Sequence, residues 1–502
     1  MDLYSALVLC SILLPLAAGL LACRREWLAV LRYSLPLLPL PALLLALLSI
    51  NDSMIELPWL LEGAKWGLDE LRRAFLMLSA ILWSLAGLFA VGYQHEPGLR
   101  RFCTFWALTL SGNLGLIVAQ DIASFYSFFA LMTFAAYGLV VHAGTVEANR
   151  AGRVYLAMAV LGEMGILVGL LMAAYPAGAT LLAELPTAIS NADQAGLIMA
   201  LLFLGFGIKA GLPLLHFWLP LAHPVAPTPA SAVLSGSMIK AGALGWLLTL
   251  PFGELDMPAW ADLMVVTGAV ASLGAAALGL RQTRPKTVLA YSSISQMGLI
   301  TLLIGGAFAN AARSEAVIAV VALYVLHHGL AKCTLFLSTA MKLPASRSGR
   351  WLTWLLIALP GLSLAGLPFT SGAVSKLAMK NALAPENFDF ALAPYFPGLM
   401  SAGAVATLLL IWRFIWTAHL HAKVGVNSLW QWSGWGLATA ASLAVFWYLP
   451  WHAALPELKW LSLIERSLWS LVWPMLAATI IAAIAWTSGR SAARDDNRVA
   501  RP

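Results

Sequence analysis

Apolar runs of helical spanning length follow one another along nearly the whole chain, separated by short polar breaks. About 20 apolar residues in a helix cross the hydrocarbon core of a bilayer. By that measure the pattern predicts about fifteen membrane helices. They cover residues 4–23, 28–50, 73–93, 101–119, 121–142, 154–175, 195–220, 227–250, 260–280, 286–306, 314–340, 351–384, 396–418, 432–450 and 467–487. Strand-like alternation is absent, which argues against a membrane β-barrel.

Two of these runs carry breaks. In Leu204–Trp246, Lys209 and Lys240 sit inside apolar sequence, on either side of Pro213, Pro220, Pro224, Pro227 and Pro229. A lysine at the bilayer centre costs about 2.5–3.5 kcal/mol on insertion scales, so such residues usually mark ion or proton paths. Five helices later, Lys376 lies in a second run interrupted by Pro360 and Pro368. An odd number of crossings inverts the second unit relative to the first, and inverted repeats with discontinuous helices are a transporter signature. The expected fold is therefore an all-α polytopic membrane protein. It has about 14–15 transmembrane helices and two inverted five-helix repeats, each with a broken helix. The units are N-terminal helices 1–100, a first half-channel 101–251, a second half-channel 258–420, and C-terminal helices with a basic tail 421–502.

Loop charges support this order. Arg24 and Arg25, Arg100 and Arg101, Arg150 and Arg153, Arg281 and Arg284, Lys342 with Arg347 and Arg350, Lys423 and the Arg490–Arg501 tail fall on one side. Glu56, Glu62, Asp69, Glu184, Asp193, Glu254, Asp256, Glu386 and Asp389 fall on the other. The positive-inside rule then places the N-terminus outside and the C-terminus in the cytoplasm of a prokaryotic inner membrane. Arginines follow the first apolar run rather than precede it, so that run reads as a retained helix and not a signal peptide.

Composition narrows the function. The 502 residues are 61% hydrophobic and 11% charged, which fits a polytopic membrane protein embedded in lipid. The net charge of +7 is accounted for by cytoplasmic loops rather than by nucleic-acid binding. Cys10, Cys23, Cys103 and Cys333 form no CxxC or Cys/His cluster, so no metal, haem or other cofactor is expected. Walker and Rossmann glycine motifs are missing, which argues against an ATP-driven pump.

The segment GIKAGLPLLHFWLPLAHPVAPTPASAVLSGSMIKAG, followed by RPKTVLAYSSISQMGLI, YVLHHGLAKCTLFLSTA and LPGLSLAGLPFTSGAVSK, resembles the proton-antiporter family. That family includes the antiporter-like subunits of respiratory complex I, of membrane-bound hydrogenase and formate hydrogenlyase complexes, and of multisubunit sodium/proton antiporters. The resemblance spans roughly residues 100–420, and the wording WLPLAHP leans toward the hydrogenase branch. It implies a mid-membrane line of buried lysines, histidines and carboxylates. Lys209 matches the lysine of the first broken helix, Lys240 the next along the line, His328 and Lys332 the connecting residues, and Lys376 the terminal residue. Burial makes such lysines able to release protons near neutral pH. His328 and Lys332, four apart, share one helix face. His327 reads as packing and Lys286 as an interfacial charge. His216 and His223 either cap backbone freed by the prolines or take up protons.

One position departs from the family. Its members carry a glutamate in the fifth helix, paired with the first lysine, and Ala130 stands there in SFFALMTFAAY. Glu163, in VLGEMGILVG, is the carboxylate placed deep in a nearby span, and it is expected to supply the missing charge. The whole reads as a proton-translocating subunit without a redox or hydrolytic site of its own, working beside other membrane subunits. The settings are a hydrogenase or complex I relative, a sodium/proton antiporter assembly, or a proton-driven uptake system for a solute such as inorganic carbon. The alternatives are a self-sufficient secondary transporter and a non-conducting scaffold.

Overall fold

The computed structural model describes residues 2–48, 53–61, 63–93, 98–452 and 472–481. It is almost wholly helical. In chain order the first helices are α1 (Leu3–Leu21), α2 (Leu28–Ser34), α3 (Leu40–Leu48), α4 (Glu70–Tyr93), α5 (Leu99–Val118), α6 (Ile122–Val140), α7 (Val146–Ala177) and α8 (Leu185–Ser190). Then come α9 (Ala195–Ala210), α10 (Trp218–Val225), α11 (Thr228–Val233), α12 (Lys240–Thr249), α13 (Pro258–Leu280) and α14 (Pro285–Ala309). The last are α15 (Ser314–Ser338), α16 (Arg347–Ala365), α17 (Ser371–Ala382), α18 (Phe396–Leu420) and α19 (Leu429–His452). Among the described residues, ten helical stretches are long and apolar enough to cross a membrane. They coincide with ten of the expected spans. The others are the interrupted runs 28–50, 195–220 and 351–384, the helix α19, and the last span, of which only Val472–Ile481 is described. The Arg490–Arg501 tail lies outside the described residues.

Two expectations need correction. Residues 28–50 do not form one helix; α2 and α3 are separated by a turn around Pro36 and Pro39. The polar stretch before α4 is not all loop, because Ser53–Leu57 and Ala64–Leu68 pair as an antiparallel hairpin, β1–β2. Its second strand docks on the start of α6: Lys65 N–H donates to Asp121 at 2.8 Å, and Trp66 Nε1 donates to Ser124 at 2.9 Å.

The helices meet through small residues, as expected where lipid leaves no hydrophobic drive between them. A Cβ on Gly298 would stand 2.5 Å from the Gly268 carbonyl, so α13 and α14 cross backbone to backbone. Gly242 lies equally close to Phe206 and Ala210, joining the Lys240 helix to the Lys209 helix.

Both broken helices break in the same way, at a glycine. α9 ends at Gly211 with φ +82°, and α16 ends at Gly366 with φ +99°. In each, the next leucine N–H reaches back along the helix, Leu212 to Gly207 and Leu367 to Leu362, the closing bond of a Schellman motif. Leu214 and Phe369, each three residues past the glycine, take positive φ of 65° and 63°. The shared text is Ala-Gly-Leu-Pro, at 210–213 and 365–368. Pro213 and Pro368 lie in the breaks, whereas Pro220 sits inside α10 and Pro360 inside α16, so the expected breaking role of those two is not observed.

Carbonyls left unpaired by each break are capped by side chains, as an apolar medium requires. Trp218 Nε1 donates to Ile208 O at 2.8 Å, and Lys376 Nζ donates to Ala365 O at 2.9 Å.

Candidate functional site

Lys209 stands in the last turn of α9, two residues before the break, and is buried. Its amine donates to Thr133 Oγ1 at 2.8 Å and lies 5.6 Å and 5.7 Å from the ring centres of Phe129 and Tyr155. Aromatic faces stabilise an ammonium group that has lost water. Tyr155 is held in turn by its hydroxyl, which donates to Thr133 O at 2.8 Å.

Glu163 projects from α7 into the same place. A cavity of about 20 Å³ is lined by Thr133, Tyr155, Glu163 and Lys209, with Phe129 and Trp218 among its walls. That volume admits about one water. Glu163 is buried, and Lys209 and Thr133 both act on its carboxylate without a hydrogen bond of full geometry. The carboxylate and the amine thus share one cavity without direct contact. Ala130 does not line it; Phe129 and Thr133 supply the α6 wall.

The middle of the molecule holds Lys240, His223, His328 and Lys332, all buried. Between α11 and α12 the helix widens into a π turn over Leu234–Met238, where Ile239 N–H bonds back to Leu234 O at 3.1 Å. Such turns expose carbonyls and recur at functional sites. Here the amine of Lys240 donates to Ser235 O. The Ser235 and Ser293 hydroxyls are 2.7 Å apart, Ser293 donates to Leu289 O at 2.9 Å, and Lys332 donates to that same carbonyl at 3.2 Å. Ser293 spends its hydrogen on Leu289, so Ser235 is the donor between the two hydroxyls. The two amines are therefore fixed to one scaffold. A carbonyl accepts a hydrogen bond but does not pass a proton on, so these bonds position the amines rather than conduct.

His328 lies one turn from Lys332 on α15 and stacks at 19° on Tyr324; neither ring nitrogen has a partner. His223 is likewise unpaired and stacks on Phe336 at 4.4 Å. The backbone-capping alternative thus fails for His223, whose ring bonds nothing. His216 is half-buried, with Nδ1 3.3 Å from Leu212 O. Lys286, half-buried in the first turn of α14, donates to Ala226 O at 2.8 Å.

Lys376 lies beyond the second break, in α17, whereas Lys209 lies before the first. His327, read from sequence as packing, hydrogen-bonds through Nδ1 to Ser371 Oγ at 2.7 Å, at the start of α17.

Comparison with known proteins agrees with the membrane fold. Residues 119–394, more than half of the chain and the stretch holding all of these lysines, match the family described as NADH:quinone oxidoreductase/Mrp antiporter, TM. The chain belongs to that family. It is 28% identical to hydrogenase-4 component B of Escherichia coli, over 54% of this chain and 42% of that protein. It is 26% identical to one of the Na(+)/H(+) antiporter subunits of Alkalihalophilus pseudofirmus, over 72% of this chain and 76% of that one. The fold superposes on a chain of the membrane-bound sulfane sulfur reductase, an archaeal respiratory membrane complex. There the TM-score is 0.73 at 19% identity, covering 95% of this chain and 99% of the other. The chain spans less than half the length of hydrogenase-4 component B. It is a multi-pass, antiporter-like membrane protein of this family.

Within this antiporter-family frame, three residues were not legible in the sequence. Thr133 is marked only as the lone hydroxyl in the apolar run 128–136. Ser293 lies among other serines, and nothing in the pattern selects it. His327 sits beside His328, and helical spacing alone does not show which neighbour it meets.

Proposed function

We propose that this chain is a proton-translocating subunit of a larger membrane complex, passing protons along a mid-membrane line of buried side chains. The observation that carries the reading is the cavity at the first helix break, where Glu163, Thr133 and Lys209 converge. An uncompensated buried amine is costly, and a carboxylate within electrostatic reach favours its charged form. A water in the cavity, or the Thr133 hydroxyl, modulates that pairing. Loosening it frees the lysine proton.

The line continues through Lys240, the His328–Lys332 face of α15, and Lys376, with His216 and His223 as candidate uptake points. The unpaired ring nitrogens of His223 and His328 are natural anchors for water. The two Ala-Gly-Leu-Pro breaks support two half-channels, residues 101–251 and 258–420, related by inversion. Loop charge supports an outside N-terminus and a cytoplasmic C-terminus. The similarity to an antiporter subunit and a hydrogenase component supports partners that supply or use the driving energy, with protons as the coupling ion and sodium as the alternative.

The test is proton flux in reconstituted complex. Lys209→Ala abolishes flux while insertion and assembly persist. Lys209→Arg also impairs it, since a guanidinium does not release its proton. Normal flux in the assembled Lys209→Ala complex refutes the relay.

A further inference from the structure

Resting on that reading, we infer that His327 is a working member of the relay, carrying the proton from the His328–Lys332 face of α15 to Lys376 on α17. The argument begins with one hydrogen. Ser371 has a single hydroxyl proton, and the hydroxyl lies 3.0 Å from Ser442 O, an acceptor only. Ser371 must therefore donate there and accept from His327 Nδ1, 2.7 Å away. This fixes the neutral imidazole as the Nδ1–H tautomer and leaves the lone pair on Nε2. That nitrogen is buried and has no hydrogen-bond partner.

The ring is also aimed. Gly372 carries no side chain, and a Cβ there would meet His327 Cε1 at 3.1 Å and the Ser363 carbonyl at 1.6 Å. Only glycine lets the imidazole edge, between its two nitrogens, rest on the first turn of α17. Lys376 is four residues past Gly372 and so stands on the same face, one turn away. The field of Lys376 reaches His327, and that of His327 reaches His328. His327 thus joins α15 to the second broken helix by a hydrogen bond, while His328 stacks on Tyr324.

The transfer balances simply. Nε2 takes a proton from the Lys332 ammonium by way of His328, leaving a neutral amine and a His327 imidazolium. The imidazolium returns that proton from Nε2 to the neutral Lys376 amine, directly or through a water. Nδ1 keeps its hydrogen on Ser371 throughout. Ser371 is a positioning residue: it selects the tautomer and carries no proton.

The experiment measures proton flux per assembled complex for His327→Gln, His327→Phe and Ser371→Ala, with Lys209→Ala and Lys376→Ala alongside. A glutamine amide is polar and of similar length but has no titratable nitrogen. His327→Gln therefore assembles normally yet loses about a hundredfold or more in flux, the scale of a lost acid–base group. His327→Phe loses at least as much. Ser371→Ala loses less, because either tautomer then forms, and its flux shifts in pH dependence while His327→Gln removes that dependence. Wild-type flux in His327→Gln, with both lysine variants inactive, overturns this inference and leaves the wider relay standing. Wild-type flux in Lys209→Ala and Lys376→Ala overturns both.

Discussion

The amine of Lys209 donates to the hydroxyl of Thr133 across 2.8 Å, and Thr133 stands three residues along α6 from Ala130. The helix face of Ala130, where the family resemblance implies an acid, therefore reaches the lysine here through a neutral hydroxyl. Thr133→Val keeps the shape and removes the acceptor. A charged donor left without its bond costs about 1.5–3 kcal/mol, so flux falls by about tenfold. Thr133→Ser retains most of it. Equal flux in Thr133→Val and wild type, at equal assembly, removes Thr133 from the site.

The proposed counter-charge to Lys209 is Glu163 on α7. Glu163→Ala leaves Lys209 buried without a counter-charge and lowers flux at least as far as Thr133→Val. Moving the carboxylate to the cavity wall, with Thr133→Glu added to Glu163→Ala, restores part of it. Ala130→Glu restores less, because Ala130 does not line the cavity. Rescue by neither double variant argues that the charge at 163 serves something other than Lys209.

Ser293 holds Lys240 and Lys332 to one frame. Ser293→Ala removes the acceptor for Ser235 and one of two donors converging on Leu289 O. A hydrogen bond of this kind is worth about 1 kcal/mol, so flux slows by about fivefold. Thr301→Ala, on the same helix, removes a bond to Met297 O that no relay residue shares and leaves flux unchanged. Equal behaviour of the two variants means the scaffold has no part in transfer.

The helix breaks need glycine for its backbone. Gly211→Ala and Gly366→Ala force a Cβ into left-handed conformations and cost about 1–2 kcal/mol each. Gly196→Ala, with open space around it, is neutral or slightly stabilising. Thermal midpoints in detergent rank them; a midpoint for Gly211→Ala at or above that of Gly196→Ala contradicts the Schellman geometry.

Topology is tested by membrane-impermeant thiol labelling in intact cells. Cysteines placed at Asp193 and Glu254 label from outside, and cysteines at Arg150, Arg284 and Arg347 do not. Labelling at position 347 from outside overturns the assigned order of helices.

Sequence alone determined the membrane fold and which lysines lie inside apolar runs, because both rest on local rules. Apolar length sets a span, and a charge within it is too costly to be incidental. It also placed the two breaks, although it credited prolines where the glycines at 211 and 366 end the helices. The hairpin β1–β2 is not legible in the sequence, since two five-residue strands carry little periodic signal beside membrane helices. What only tertiary structure decided is which side chains meet. Thr133 comes to Lys209 across 76 positions, and Ser371 comes to His327 across 44. Such pairings depend on how helices rotate and cross at glycine contacts such as Gly242 and Gly372. Spacing within one helix fixes a face, but the packing of several helices fixes what that face touches.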